Sequence, residues 1–487
     1  MELPAHGWSK EEVYAALEKK RRGDVPWRSG RAFAYVYDGG PEIEEVAKKA
    51  YMAFLTENGL DPTAFPSLLT FENDLIAIAR THLHGGPEVV GTFTSGGTES
   101  IMLAVKAARD LAKAKRGVTQ PKMIVPITAH AAFHKAGRYL GVEVVATAVD
   151  PVTFRADVAA MEAAVDERTV LLVGSASGYA HGVVDPIAAI ADLAQRRGLY
   201  CHVDGCIGGF LLPYFARLGE SVPDFDFRVP GVTSISMDLH KYALTPKGAS
   251  VVLFANDELR RAQYFACSQW TGYTMINPTI QSSKSGGPLA AAWAVMHSVG
   301  DDGYLRIAKG LLETKRAILE GIRGIDGLAV MGEPEMCLVA FTSEDVPIFP
   351  MADAMKARGW LVQPQLAFGS SRENLHLTIQ PSNVKWTETF LQDLREARDE
   401  AKKAAEAYEG TRAFAAMFAE RLTGPDAMAA LPTLIESLGV GTGGAMPDKM
   451  AEVNAILNAM PRPIQEELLT RFVSMLFQPT STARGAR

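Results

Sequence analysis

Cysteine is scarce in this chain. There are four in 487 residues (Cys201, Cys206, Cys267 and Cys337), with no CxxC pair among them. That excludes a disulfide framework and leaves free thiols in a reducing cytoplasm as the expectation. Long apolar runs are missing too. No stretch reaches the roughly 18 uninterrupted apolar residues of a membrane helix, and the N-terminal MELPAHGWSKEEVYAALEKKRRGD has no charged-then-apolar leader pattern. A cytoplasmic chain without a membrane span is expected. Positive charge is not in excess: 49 Lys and Arg stand against 56 Asp and Glu, a net charge of −7. This removes any broad attraction to nucleic acid or an acidic membrane face, although a single cleft can still be basic. Internal repeats and low-complexity tracts are absent, and no metal centre is expected.

What is present is a soluble globular balance of 47% apolar and 22% charged residues, in a chain too long for one core. Asp74–His84 and Ser100–Ala114 read as helices; in the second, Ile101, Ala104, Val105 and Ala108 share one face. Short Val/Ile/Leu-rich runs follow at Met123–Ile127, Val142–Val149, Val170–Ser175, Tyr200–Asp204, Thr233–Met237 and Ser250–Phe254. Such runs, separated by helical segments, predict a largely parallel sheet with helices on both faces. A Gly/Ser-rich loop at Gln281–Gly287 leads into a long helix from Pro288 to about Arg323. Candidate strands Leu328–Met331, Leu338–Thr342 and Asn374–Ile379 then predict a smaller α+β unit. The expected division is a helical segment (1–60), a large α/β domain (61–300), a small α+β domain (301–400) and a helical extension (401–487). That extension ends in a looser tail at Gly441–Gly444 and Pro479–Arg487, which is expected to fray.

Lys241 follows directly on a predicted buried strand, in Ser234-Ile-Ser-Met-Asp-Leu-His-Lys-Tyr242. A lysine there is costly unless neutralised or bonded, and condensation with an aldehyde removes the charge. Taken alone it reads better as an ordinary lysine at a strand end, and its partners reverse that. Asp204 closes the strand Tyr200-Cys-His-Val-Asp204, ahead of Gly205, Gly208 and Gly209. A lone aspartate there is most simply a helix cap. Placed 37 residues before a Schiff-base lysine, it suits a pyridine nitrogen that must stay protonated. Thr94-Ser-Gly-Gly-Thr-Glu-Ser100 opens a helix, and its glycines and hydroxyls suit a phosphate at the helix N-terminus. His130, in His130-Ala-Ala-Phe-His134, follows a strand and is either a ring-stacking imidazole or a surface loop residue, as is His134. His202 reads as a satisfied core or supporting residue. Aldehyde, pyridine and phosphate together point to pyridoxal 5'-phosphate (PLP).

Taken together, these residues resemble the group II PLP-dependent decarboxylases, and within them a soluble, bacterial-type form of the sphingosine-1-phosphate lyase branch. The likeness runs from about Tyr37 to Phe254, with patches to about Pro381. Its most specific stretch is Phe225-Asp-Phe-Arg-Val-Pro-Gly-Val-Thr-Ser-Ile-Ser236, continuing through His240-Lys241-Tyr242 to Pro246-Lys-Gly-Ala-Ser250. His130-Ala-Ala-Phe133, His181-Gly-Val-Val-Asp-Pro-Ile187 and Asn277-Pro-Thr279 are similar as well. The resemblance implies the aspartate-aminotransferase fold (fold type I), with a large, mostly parallel sheet domain and a smaller α+β C-terminal domain. It implies Lys241 as the Schiff-base lysine, Asp204 as the pyridinium partner and His130 as the stacking ring. Gly97, Thr98, His240 and Ser282 would also contact the cofactor, and Tyr37, Asn58 and Lys247 the substrate. The loop around Ser282–Gly286 would reach the neighbouring subunit's site, so a homodimer is implied. The activity implied is retro-aldol cleavage of a phosphorylated long-chain amino alcohol, with amino-acid decarboxylation as the alternative. Arg28 and Arg31 are further candidates for an anionic head group. The family pattern is broken in three places: Asp61 stands where a phosphate-binding histidine is usual, Lys284 where an arginine is usual, and His240-Lys-Tyr-Ala-Leu-Thr245 where His-Lys-Tyr-Gly-Tyr-Ala is usual.

Overall fold

The computed structural model describes residues 3–421 and 449–477; the tail segments 441–444 and 479–487 lie outside them. The chain divides into two compact units, 33–344 with 361–392, and the described parts of 1–32, 345–360 and 393–487.

The first unit carries a seven-stranded sheet. Its strands are β1 (Val90–Thr94), β2 (Lys122–Pro126), β3 (Glu143–Thr147), β4 (Thr169–Ser175), β5 (Tyr200–Asp204), β6 (Ser234–Met237) and β7 (Ser250–Phe254), in the spatial order β1-β7-β6-β5-β4-β2-β3. The pairs from β6 across to β3 are parallel, while β7 runs antiparallel to both β6 and β1. The all-buried runs β2, β4, β6 and β7 are the strands closed in on both faces. The sheet is thus largely parallel, as the alternation predicts, with β7 the strand that turns back. The strand β1 was not expected at all.

Helix Gly97–Arg116 packs on this sheet through Ile101, Val105 and Ala108, in a cluster with Met123, Val125, Phe133, Leu171 and Val173. It ends at Gly117, whose φ of 67° lets its N–H cap the carbonyls of Ala112 and Lys113. A two-stranded hairpin, β8 (Phe265–Cys267) and β9 (Met275–Asn277), follows. Helix Gly286–Arg323 begins two residues earlier than the sequence suggests and is broken at Gly300, where φ is 65°. Strands β10 (Leu328–Val330), β11 (Leu338–Ser343), β12 (Gln363–Gln365) and β13 (Asn374–Thr378) form an antiparallel sheet ordered β10-β11-β13-β12.

The second unit is helical. Helix Lys10–Arg21 starts with a reciprocal cap between Ser9 and Glu12 and buries no residue. Asp353, on helix Ile348–Ala357, accepts the N–H groups of Met450 and Ala451 at the start of helix Ala451–Ala459. Among the described residues no helix is long and apolar enough to cross a membrane, and no group of His, Cys, Asp or Glu is arranged to hold a metal ion.

Candidate active site

Five strands deliver side chains to one edge of the large sheet. β1 is parallel to β6 through their shared neighbour β7, so its end at Thr94 lies at the same edge as the ends of β2, β4, β5 and β6. Open α/β sheets bind ligands beyond these carboxyl ends. Here a cavity of about 330 Å³ is lined by Gly97, Thr98, His130, Asp204, His240 and Lys241, together with Glu99, Tyr179, Cys206 and Asp238.

Lys241 sits in the turn after β6, and its Nζ lies 3.0 Å from Asp238 Oδ2. Burial opposes the charged amine, but Asp238 first, then Cys206, Tyr37 and Asp204, outweigh it and hold its pKa above the ordinary lysine value. Asp238 is itself enclosed. Burial favours its neutral form, yet Lys241 and then His240 keep the carboxylate below its usual pKa. Its Oδ1 is buried without a hydrogen-bond partner. A Cβ on Gly97 would stand 2.8 Å from Asp238 Oδ2 and 2.7 Å from Cys206 Sγ, so glycine is what lets the helix start pass over this carboxylate.

Asp204 is buried. Its Oδ1 accepts from the Cys206 N–H at 3.1 Å and the Ser236 hydroxyl at 3.4 Å, while the carboxylate still reaches the cavity wall. His202 is fully buried and satisfied by Ser234 and Ser236, in the supporting role its position on β5 suggested. The Glu99 carboxylate accepts from Ser95 N–H at 2.7 Å and from Ile280 and Gln281 N–H at 2.9 and 3.1 Å, tying the loop after β9 to the helix start. His240 Nδ1 accepts from Ala249 N–H, and burial moves its pKa down to about 4, so the ring is neutral. Lys247 is an exposed residue. Its amine tip lies over the Tyr37 ring, 4.8 Å from the centroid, and within 3.4 Å of the His240 carbonyl. Desolvation of that tip, then the charge of Lys241, lower its pKa to about 8.

Four expected contacts are not among the residues lining this cavity: Tyr37 and Lys247, which lie against each other, Asn58, which bridges to Ser285, and Ser282, which is exposed next to Asn277. Lys284 pairs with Glu72 at 2.7 Å. Asp61 turns its carboxylate onto the Thr63 hydroxyl and N–H, which lower its pKa. Arg28 lies over Trp27, and Arg31 lies over Trp360 and donates to the Arg358 carbonyl. Asp238, Glu99 and Tyr179 are site residues the sequence reading did not assign. The signal for Asp238 was its place one turn before the lysine.

The donor set fits pyridoxal phosphate. An amine, two carboxylates and a glycine-led helix N-terminus line one space of the right size for a small cofactor. The pyridoxal-dependent decarboxylase conserved domain matches residues 30–344, and the chain belongs to that family, whose cofactor is PLP and whose fold is type I. A second match, to a C-terminal HTH domain of pyridoxal-dependent enzymes, covers residues 409–475. Among relatives, the chain is 40% identical to a sphingosine-1-phosphate lyase of Dictyostelium discoideum over 81% of its own length and 74% of the relative's. It is 31% identical to an L-aspartate/L-glutamate decarboxylase of Pyrococcus horikoshii over 81% and 99% of the two chains. The solved sphingosine-1-phosphate lyase of Burkholderia pseudomallei superimposes with a TM-score of 0.79 at 38% identity, covering 84% of this chain and 94% of that one.

Proposed function

We propose that the protein is a PLP-dependent carbon–carbon lyase that cleaves a phosphorylated long-chain amino alcohol to a fatty aldehyde and phosphoethanolamine. The observation that carries the lyase over the decarboxylase is the chemistry of the walls. Among the described residues lining the cavity and the space next to it, Lys241 is the one permanent cation, and it is committed to the cofactor. The wall facing it is Tyr179, backed by His376, whose ring burial holds neutral with a pKa of about 4. A carboxylate on the substrate's reacting carbon would find no second cation among these lining residues, whereas a phosphate at the substrate's far end would be met outside them, by Lys247. The lyases among the relatives support the same reading.

When bound, PLP supplies an aldehyde that condenses with amines and a ring that accepts the electron pair of a breaking bond. The chain's own residues do the rest. Lys241 Nζ would hold PLP through its aldehyde, and Asp238 Oδ2, 3.0 Å away, would pair with the lysine ammonium when it is free. Asp204 would hold a proton at the ring nitrogen, and His130 would stack on the ring. The N–H groups at Gly97 and Thr98, with His240, take the cofactor phosphate. Lys247 and Tyr37 take the substrate phosphate, a task Asp61 cannot share because its charge is negative and turned to Thr63.

The working unit in this proposal is a cytoplasmic homodimer in which Ser282 and Asn58 serve the neighbouring site. Their distance from their own chain's cavity supports it, as does the hairpin beside them, where Trp270, Tyr273 and Ile276 are 45%, 55% and 54% exposed. Four free cysteines suit a reducing compartment. The deciding experiment incubates the PLP-loaded protein with a phosphorylated long-chain amino alcohol and assays aldehyde. Release of carbon dioxide from an amino acid, with no aldehyde from any amino alcohol, would replace the lyase with the decarboxylase.

A further inference from the structure

Tyr35 holds a backbone conformation that its residue type disfavours. Its φ is 65°, and the Val36 N–H donates to the Ala34 carbonyl at 2.8 Å, so three residues close a tight turn of the rare, strained hand. Two fastenings keep the turn in place. On one side the fully buried Phe33 donates its N–H to the Leu361 carbonyl at 2.8 Å and accepts from the Thr378 N–H at 2.7 Å. On the other side the Asp38 N–H donates to Gln380 Oε1 at 2.9 Å. The turn puts the Tyr35 side chain outside, 70% exposed directly after a fully buried Ala34. Its hydroxyl has no hydrogen-bond partner among the described residues. A glycine would take this φ without strain, and an exposed ring adds nothing to the core. Strain that the surroundings enforce is a mark of functional residues.

The candidate site lies on both flanks of the turn. Two residues on, the Tyr37 ring stands edge-on to Tyr242, the neighbour of Lys241, at 5.0 Å, and carries the Lys247 amine over its face at 4.8 Å. On the other flank is Tyr179, which lines the cavity that holds Lys241 and donates its hydroxyl to Gln363 Oε1 at 2.6 Å. Burial raises the pKa of Tyr179, and the nearby Tyr35 phenol adds to the rise. Tyr35 thus stands outside a residue of the cavity wall and two positions from the ring under Lys247. We infer that Tyr35 is a substrate-binding residue whose hydroxyl donates to the anionic head group that Lys247 attracts. The inference rests on the lyase reading above and deepens it. A phosphate presents three strong acceptor oxygens, and one ammonium, already beside the His240 carbonyl, does not satisfy them all. A free phenol fixed by its backbone supplies a further donor and loses little freedom on binding.

The test compares the PLP-loaded wild type with Tyr35→Phe and Tyr35→Gly in two assays, aldehyde release from a phosphorylated long-chain amino alcohol and calorimetric binding of phosphoethanolamine. Tyr35→Phe removes the hydroxyl alone. Expected is a KM at least about tenfold higher with kcat kept, and phosphoethanolamine bound more weakly by a similar factor, as for one hydrogen bond to a charged group. Tyr35→Gly removes ring and strain together, so the same weakening should come with a denaturation midpoint no lower than that of the wild type. A lowered midpoint would make the ring a part of the fold and overturn the argument from strain. Tyr35→Phe with the wild-type affinity for phosphoethanolamine would overturn the head-group contact, whatever its KM. No aldehyde from any phosphorylated amino alcohol, with phosphoethanolamine still bound less well by Tyr35→Phe, would overturn the lyase reading and leave the contact standing. Phosphoethanolamine that the wild type does not bind would overturn both.

Discussion

At the scale of single residues the site is a problem of charge in a small enclosed space. Asp204 and Asp238 face the same cavity, and each is compensated differently. Asp204 takes an N–H and a hydroxyl on one oxygen, whereas Asp238 takes the lysine on one and nothing on the other. A negative charge 3.0 Å from Nζ favours a proton on that nitrogen, so Asp238→Asn is expected to move the pH midpoint of the cofactor's visible band downward. It should also cost roughly 10²-fold in kcat, the lower end for a misplaced proton carrier. An unmoved midpoint would leave Asp238 a purely structural residue. Lys247 gives the opposite sign of test. Its amine is charged below its pKa of about 8 and neutral above it, so phosphate binding weakens, and KM rises, as pH climbs through that value. Lys247→Arg stays charged and should remove this alkaline limb from the KM profile. A limb that survives the substitution would assign it elsewhere.

At the scale of elements, the helix start at Gly97 depends on contacts from outside the helix. The Glu99 carboxylate accepts three N–H groups, two of them from the loop after β9. Glu99→Gln should cost about 1–3 kcal/mol, seen as a lower denaturation midpoint, and should open Ile280–Gly286 to limited proteolysis. An unchanged cleavage pattern would show that the loop has other anchors. What was legible in the sequence follows from the same logic of length and burial. β2, β4 and β5 are apolar runs of five to seven residues, long enough to read, and their ends located His130 and Asp204. β1 was missed because Val-Gly-Thr-Phe-Thr merges with the glycines of the next turn. β8, β9 and β12 are three residues each, too short for any period to register. Asp238 and Tyr179 were missed for a different reason. Asp238 stands three residues before Lys241, a signal that a strand-end aspartate does not make conspicuous, whereas Tyr179 comes from a loop with no motif of its own and reaches the cavity only through folding. The reversal of β7 within a largely parallel sheet was not legible, because buried strands look alike whichever way they run.

At the scale of the whole molecule, the proposed dimer would give Asn58 and Ser282 a task at the neighbouring site. Mixing Lys241→Ala chains with Ser282→Trp chains should then restore activity that neither has alone, at roughly a quarter of wild-type sites for random pairing in a two-fold dimer. Failure to complement, with mixed dimers demonstrated by tagged subunits, would show that each chain completes its own site. The cavity walls arrive from the ends of five different strands, separated in sequence by up to 146 positions between Ser95 and Lys241. A molecule bound among them clamps distant stretches of chain together, and it recognises only the folded form. Saturation a thousandfold above the dissociation constant is worth about 4 kcal/mol of added resistance to unfolding. Cells starved of vitamin B6 should consequently lose this protein to proteolysis, so that nutrient supply governs its amount as well as its turnover number.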